Sequence, residues 1–245
     1  MTSDPRQNHQ QSSNPTSQPF AQRRTQMSIP RSGVSRPAWL TRSNKQLAIL
    51  VRDCSGSMSG SKASDATLAS QRLVEELSNP ANRDGFEVAV IDFESSANLV
   101  NDVSLASALN GRLSPVYGGG GTDIASGLEI AVKILSRSVF QSEDYLRPVV
   151  VAFSDGQTCN RSNAEVLAGS LRIAADFVSV AFGSDADEDF LRSIATSPDH
   201  FYHCTDGGSL RSFFAAVGAT MCVSLQRGQN STHALSQIRY KGPNQ

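Results

Sequence analysis

The chain has 245 residues, of which 39% are hydrophobic, enough for one ordinary domain with a real core plus polar ends. The formal net charge of −1 conceals an asymmetry: residues 1–45 carry seven basic side chains against Asp4 alone, a net of +6, which leaves −7 for the remainder. With no run of eighteen apolar residues, no apolar segment behind an N-terminal charge cluster, and four cysteines (Cys54, Cys159, Cys204, Cys222) in no CxxC or paired framework, the sequence predicts neither a membrane span nor a secretory signal, but free thiols in a reducing cytoplasm.

Residues 1–44 are rich in Gln, Ser, Asn, Pro and Arg and poor in large apolar side chains, so they read as a disordered polar and basic arm. Leu47–Asp53 is a short continuous apolar run, the pattern of a buried parallel strand. Ser61–Leu77 carries Ala63, Ala66, Leu68, Ala69, Leu73, Val74 and Leu77 as a helical stripe and is closed by Asn79-Pro80. Phe86–Phe93 is the second strand, Asn98–Val103 an edge strand, and Leu105–Leu113 a short helix. Thr122–Ser138 is an amphipathic helix, and Pro148–Ser154 another buried strand. Then helix, strand, helix, strand, helix follow over Asn163–Ala174, Asp176–Phe182, Asp187–Thr196, His200–Thr205 and Ser209–Leu225, before a flexible tail from residue 228. This alternation predicts an α/β class: a Rossmann-like three-layer sandwich, with helices on both faces of a mostly parallel sheet. In such sheets, sites form beyond the carboxyl ends of the strands. That rule selects three places: after Asp53, before Thr122 and after Ser154.

Each place is rich in oxygen. Asp53-Cys54-Ser55-Gly56-Ser57 is a D-x-S-x-S pattern, and one carboxylate with two hydroxyls on a turn suits a small hard cation such as Mg²⁺, which prefers oxygen ligands and keeps several waters. Gly56 permits a sharp bend there. Gly118-Gly-Gly-Gly-Thr122-Asp123 opens a helix; its glycines, Gly120 and Gly121 among them, allow close backbone approach, and Thr122 offers a third hydroxyl or, in the plainer reading, a helix N-cap. Phe153-Ser154-Asp155-Gly156 supplies a second carboxylate, which can equally be an Asp preceding a turn Gly. Asp123 reads as a first-turn residue favoured by the helix dipole. Asp92 and Glu94 read as rim charges. His200, His203 and Cys204 suggest a zinc site only weakly, because no fourth ligand is visible.

D-x-S-x-S, then a Gly-rich loop with Thr, then Ser-Asp-Gly together resemble the metal-ion-dependent adhesion site of von Willebrand factor type A (VWA) domains, over residues 45–227. The run from Arg83 to Phe93 and on to Thr122-Asp123 is most similar to the bacterial branch that includes the tellurite-resistance TerY-like proteins. The resemblance implies a six-stranded, mostly parallel sheet with one antiparallel edge strand. It implies Mg²⁺, with Mn²⁺ or Ca²⁺ as alternatives, held by Asp53, Ser55, Ser57, Thr122 and Asp155. Ser55 and Ser57 are then direct ligands, Thr122 and Asp155 alternate between direct and water-mediated contact, and Asp53 anchors the site. An open position takes a partner's Asp or Glu, rimmed by Gly56, Gly120, Gly121 and Gly156. The branch further implies a stress-response or signalling assembly containing a kinase, phosphatase or ATPase.

Two other functions compete. A Mg²⁺-dependent phosphoester hydrolase needs acid–base groups, and none is evident near the three loops; phosphate-binding and nucleophile-elbow motifs are also missing. Nucleic-acid binding would rest on the basic arm alone. The expectation is therefore a non-enzymatic binding module with a protein partner and no membrane association. Cys54 and Cys159, four residues beyond Asp155, also raise the idea of a redox pair at the rim.

Overall fold

The computed structural model describes residues 44–238. Six strands form one sheet: β1 Lys45–Asp53, β2 Phe86–Phe93, β3 Ala97–Leu105, β4 Tyr145–Ser154, β5 Asp176–Phe182 and β6 Phe201–Cys204, in the spatial order β3-β2-β1-β4-β5-β6. All neighbours pair in parallel except β2 and β3, which are antiparallel with two register shifts near Val90. The central strands are buried along nearly their whole length, so their continuous apolar runs are what a sheet covered on both faces requires.

Helices α1 (Ser61–Leu77) and α6 (Gly207–Arg227), with the one-turn α2 (Ala106–Leu109), cover one face; α3 (Ile124–Leu135), α4 (Arg161–Ala174) and α5 (Glu188–Ile194) cover the other. Side-chain alternation along β1 sorts Ala48, Leu50 and Cys54 onto the α1–α6 side and Leu47, Ile49 and Val51 onto the other. On α1, small Ala63, Ala66 and Ala69 precede Leu73, Val74 and Leu77 on the buried stripe. Gly218 of α6 lies so close to α1 that an added Cβ would stand 2.6 Å from Cβ of Glu76.

Several boundaries differ from those the sequence predicts. The helix expected over Leu105–Leu113 is a single turn, because Leu105 still belongs to β3 and Gly111 turns left-handed at φ +71°. The helix expected from Thr122 starts at Ile124, and residues 138–141 form a separate 3₁₀ turn. The last long helix begins two residues earlier than expected, capped by a reciprocal pair: Asp206 accepts from the Ser209 amide and Ser209 Oγ from the Asp206 amide. By length and a mean hydropathy of 1.3, α6 meets the bare size and composition of a membrane-crossing helix, although it contains no unbroken run of eighteen apolar residues. Here it is a core helix, with Phe213, Phe214, Val217 and Met221 fully buried against α1 and the sheet.

Residues 228–238 are also ordered into the packing rather than forming a flexible tail. Gly228 closes α6 in a left-handed cap, and α7 (Thr232–Ser236) buries Leu235 completely. Ser231 Oγ accepts from Gln46, Thr232 Oγ1 donates to Asp176, and Tyr202 donates to the Leu235 carbonyl. The basic arm, apart from Asn44, and residues 239–245 lie outside the described residues.

The chain leaves β1 toward β2 on one side and returns to β4 on the other. That reversal opens a crevice beyond the carboxyl ends of β1 and β4. Asp53 ends β1 and Asp155 directly follows β4.

Candidate metal centre

The floor of the crevice is made of Asp53, Ser55 and Asp155, all within 1% of complete burial. Asp53 is fully engaged. Its Oδ1 accepts from the Ser55 amide at 2.8 Å, and its Oδ2 accepts from Ser154 Oγ at 2.5 Å. Ser154 Oγ in turn accepts from the Gly156 amide at 2.9 Å, so one hydroxyl joins the ends of β1 and β4. Burial pushes the Asp53 carboxyl above the ordinary aspartate range. The hydrogen bonds from Ser154 and Ser55 pull it back, and the Asp155 charge adds to the rise.

Asp155 differs from Asp53. Its Oδ1 receives a 3.3 Å bond from the Gln157 amide, and among the described residues its buried Oδ2 has no hydrogen-bond partner. Buried polar groups are nearly always paired, so an orphan carboxylate oxygen needs a reason. The cations carried by neighbouring segments serve other carboxylates. Arg52 pairs with Asp92, Lys62 with Asp185, and Arg161 with Asp187.

Ser55 and Ser57 place their Oγ atoms 3.1 Å apart, one buried and one exposed. They share a turn because Gly56–Met58 is a 3₁₀ helix. Gly56 has no positive φ; its requirement is close approach. Its amide donates to the Gly120 carbonyl at 3.2 Å, and an added Cβ would stand 3.3 Å from that oxygen. Gly120 and Gly156, by contrast, do sit at positive φ, +71° and +76°.

The Gly-rich loop is stitched to both neighbours. Gly119 donates to the Cys54 carbonyl at 2.8 Å, and Gly121 donates to Ser95 Oγ at 2.8 Å. The Thr122 carbonyl accepts from the Cys159 amide and from Thr158 Oγ1, both at 3.1 Å. Thr122 is therefore not a helix N-cap; Asp123 occupies that position, without a side-chain cap bond and with Oδ1 buried and unpartnered. The three predicted loops thus converge, and their five oxygen-bearing residues run from a buried floor to an open mouth at Ser57, Thr122, Gly120 and Gly121.

The donor set is all oxygen, two carboxylates and three hydroxyls, which is the chemistry of a hard divalent cation. The unpartnered Asp155 Oδ2 at the floor fits such an ion, because it is a strong acceptor in want of a positive partner.

The other sequence expectations resolve as follows. Asp92 is not a free rim charge but the partner of the buried Arg52. The His200 ring bridges Ser197 Oγ and the Thr232 carbonyl, while His203 contacts the Gly183 carbonyl and Glu188. Cys204 is fully buried with its thiol pushed up to about 12 by burial; His200 lies in the 3₁₀ turn before β6, while His203 and Cys204 end that strand, and each is engaged separately. Among the described residues, no group of three or more His, Cys, Asp or Glu side chains is arranged to hold a metal. Cys54 is buried, with its thiol also raised to about 12 by burial and the Asp92 charge, whereas Cys159 is exposed. The sequence reading missed the joining role of Ser154, whose presence in Ser-Asp-Gly was the available signal. It also missed the 183–187 loop, which reaches the site through the Asp187 amide on the Asp155 carbonyl.

The profile of the von Willebrand factor type A domain matches residues 48–216. Among solved structures, the chain is similar to a von Willebrand factor type A protein from Catenulispora acidiphila, at 20% identity and TM-score 0.61 over 73% of this chain and 43% of that one. It is also similar to the vWF domain of the type V pili tip protein Mfa5 from Porphyromonas gingivalis, at 13% identity and TM-score 0.60 over 76% of this chain and 98% of that one. A third is proximal thread matrix protein 1 from the mussel byssus with a zinc-occupied MIDAS motif, at 22% identity and TM-score 0.55 over 73% of this chain and 46% of that one. At these identities the likeness is one of fold. The chain spans less than half the length of the Catenulispora and mussel chains. No curated protein matches the sequence.

Proposed function

The chain belongs to the von Willebrand factor type A domain family, and on that premise we propose that it docks a partner protein through a metal-ion-dependent adhesion site. Domains of this family mediate protein–protein interaction, often with a divalent metal, and are typically non-enzymatic. In this reading Asp53, Ser55, Ser57, Thr122 and Asp155 hold the ion, Mg²⁺ in the first place. The ion supplies positive charge and a vacant position that attracts a carboxylate.

The observation that carries the proposal is the unpartnered Oδ2 of a fully buried Asp155 beside a second buried carboxylate. Asp53, with both oxygens already bonded, holds the floor in shape. Ser55 and Ser57 present adjacent hydroxyls, and the exposed Gly120-Gly121 backbone leaves room for an incoming chain. Two carboxylates against a dication leave little excess negative charge, so a partner's Asp or Glu meets attraction rather than repulsion.

A protein partner accounts for the site better than hydrolysis does. The flanking Lys62, Arg161 and His203 are each committed to a neighbouring carboxylate. The partner belongs, as the TerY-like resemblance implies, to a cytoplasmic stress-response or signalling assembly.

Titration calorimetry with Mg²⁺, Mn²⁺ and Ca²⁺ tests the proposal directly. Ser55→Ala with Ser57→Ala should abolish ion binding while circular dichroism stays unchanged, and chelation should release partners captured on the wild-type protein. Equal ion binding by the double variant, or partner retention in chelator, overturns it.

A further inference from the structure

One group outside the ligand set stands out. Arg52, the penultimate residue of β1, is a charged side chain with 0% exposure on the apolar α1–α6 side of the sheet. Its Nε and Nη2 reach the two carboxylate oxygens of Asp92, its register partner on β2, at 2.6 and 2.8 Å. Its Nη1 donates to the carbonyl of Ser114 at 2.9 Å. Arg52 is buried and Asp92 half-buried, and replacing an ion pair withdrawn from water by well-packed apolar residues is often neutral or stabilising, so the pair is weak grounds for a role in stability alone.

Its third bond shows where it acts. Ser114 lies in the irregular segment between α2 and α3, which continues directly into Gly118–Thr122. That segment is held by weaker neutral bonds further on: Val116 to Thr67 Oγ1, Gly119 to the Cys54 carbonyl and Gly121 to Ser95 Oγ. Arg52 supplies the charge-assisted tether at its start, and its planar fork reaches Asp92 and Ser114 together, which a lysine ammonium cannot do in the same geometry. Arg52 is also the immediate neighbour of Asp53, so one stretch of β1 sets both the anchoring carboxylate and the approach of the Thr122 loop.

We infer that Arg52, clamped by Asp92, is a positioning residue that fixes the Gly118–Thr122 loop for cation binding. This rests on the proposed metal site for its consequence, but the tether itself is testable without the ion.

The test compares Arg52→Lys and the double variant Arg52→Met with Asp92→Leu against wild type. It uses denaturant unfolding, amide hydrogen exchange and Mg²⁺ titration of the full chain. The double variant removes the ion pair without stranding a charge, so its unfolding midpoint should stay near wild type. Exchange at Val116, Gly119 and Gly121 should nevertheless quicken about tenfold, and the Mg²⁺ dissociation constant should rise by about tenfold, a change of ~1.4 kcal/mol. Arg52→Lys keeps the charge but loses the fork, and should show the same loop exchange phenotype. If the double variant recovers stability, slow loop exchange and Mg²⁺ affinity together, Arg52 is structural only and the inference fails. If wild type binds no Mg²⁺, the proposed function fails, while the exchange comparison still decides the tether. Should the double variant not fold, the exchange and midpoint of Arg52→Lys decide alone, and unchanged exchange at the three amides overturns the inference.

Discussion

Asp155→Asn separates a metal ligand from a structural aspartate by the sign of its effect. Asp155 is fully buried, one of its oxygens has no hydrogen-bond partner among the described residues, and the other receives a single long bond from Gln157. A buried unsatisfied group costs about 1–3 kcal/mol, and here the nearby Asp53 charge adds repulsion. Removing the charge should therefore stabilise the metal-free protein. The expected gain is about 1 kcal/mol, less than the full cost because the new amide needs partners of its own. With Mg²⁺ the order reverses. A ligand at a hundred times its dissociation constant stabilises by about 2.7 kcal/mol, which for a domain of this size is roughly 5–10 °C in melting temperature. The variant should show none of that rise. Scanning calorimetry of both proteins in chelator and across a Mg²⁺ series therefore yields crossing curves: the variant melts higher without the ion and lower with it. A variant that melts below wild type in chelator and still responds to Mg²⁺ refutes the assignment of Asp155.

Three further outcomes follow from the geometry around the site and behind it. Gly156→Ala places a Cβ at φ +76°, 2.9 Å from the Leu191 side chain; it should cost about 2 kcal/mol in denaturant unfolding and weaken ion binding, since Gly156 shares the Ser154 hydroxyl with Asp53. Leu235→Ala should lower stability by about 2–4 kcal/mol, because Leu235 is wholly enclosed; a melting curve that does not move would return residues 228–238 to a dispensable tail. At pH 8 the thiol of Cys54, raised to about 12, is ionised to about one part in ten thousand. Alkylation of the native protein should thus mark exposed Cys159 and spare Cys54 and Cys204, and a non-reduced peptide map should contain no Cys54–Cys159 disulfide.

What the sequence made legible is what depends on local pattern. The strand and helix periodicities gave β2, α1 and β5 with their observed ends, because a parallel strand buried on both faces is a continuous apolar run and α1 is bounded by Gly60 and Asn79-Pro80. The three loops were legible for a topological reason: they follow or precede elements whose strands meet at the reversal between β1 and β4, so residues 53–57, 118–122 and 154–156 converge without any long-range guess. Boundaries failed where a three-dimensional partner overrode the pattern. Asp206 and Ser209 cap each other and so move the start of α6. Leu105 pairs with Glu87 on the sheet and so shortens α2.

Polar residues inside apolar surroundings were the illegible class, and the proposed function rests largely on them. Arg52 lies within the apolar run Leu47–Asp53, where no local pattern marks its role, and its fork joins β2 to the approach of the Gly-rich loop. Ser154 stands beside Asp155 with no pattern to mark its role, and its hydroxyl satisfies Asp53 while Asp155 keeps an oxygen without a donor. The residue patterns D-x-S-x-S and Ser-Asp-Gly do not by themselves carry that division of labour; the family resemblance implies Asp53 as the anchor, and its hydrogen bonds agree with that role. The division follows from which oxygen already has a donor. In the proposed site, a floor that keeps its shape and still draws in a cation requires one carboxylate held rigid by protein donors and another with an oxygen left wanting, while the hydrogen-bonded oxygens keep lone pairs that can also face the ion. Asp53 and Asp155 meet that requirement through one serine hydroxyl, and Ser154→Ala should blur it, leaving both carboxylates short of donors.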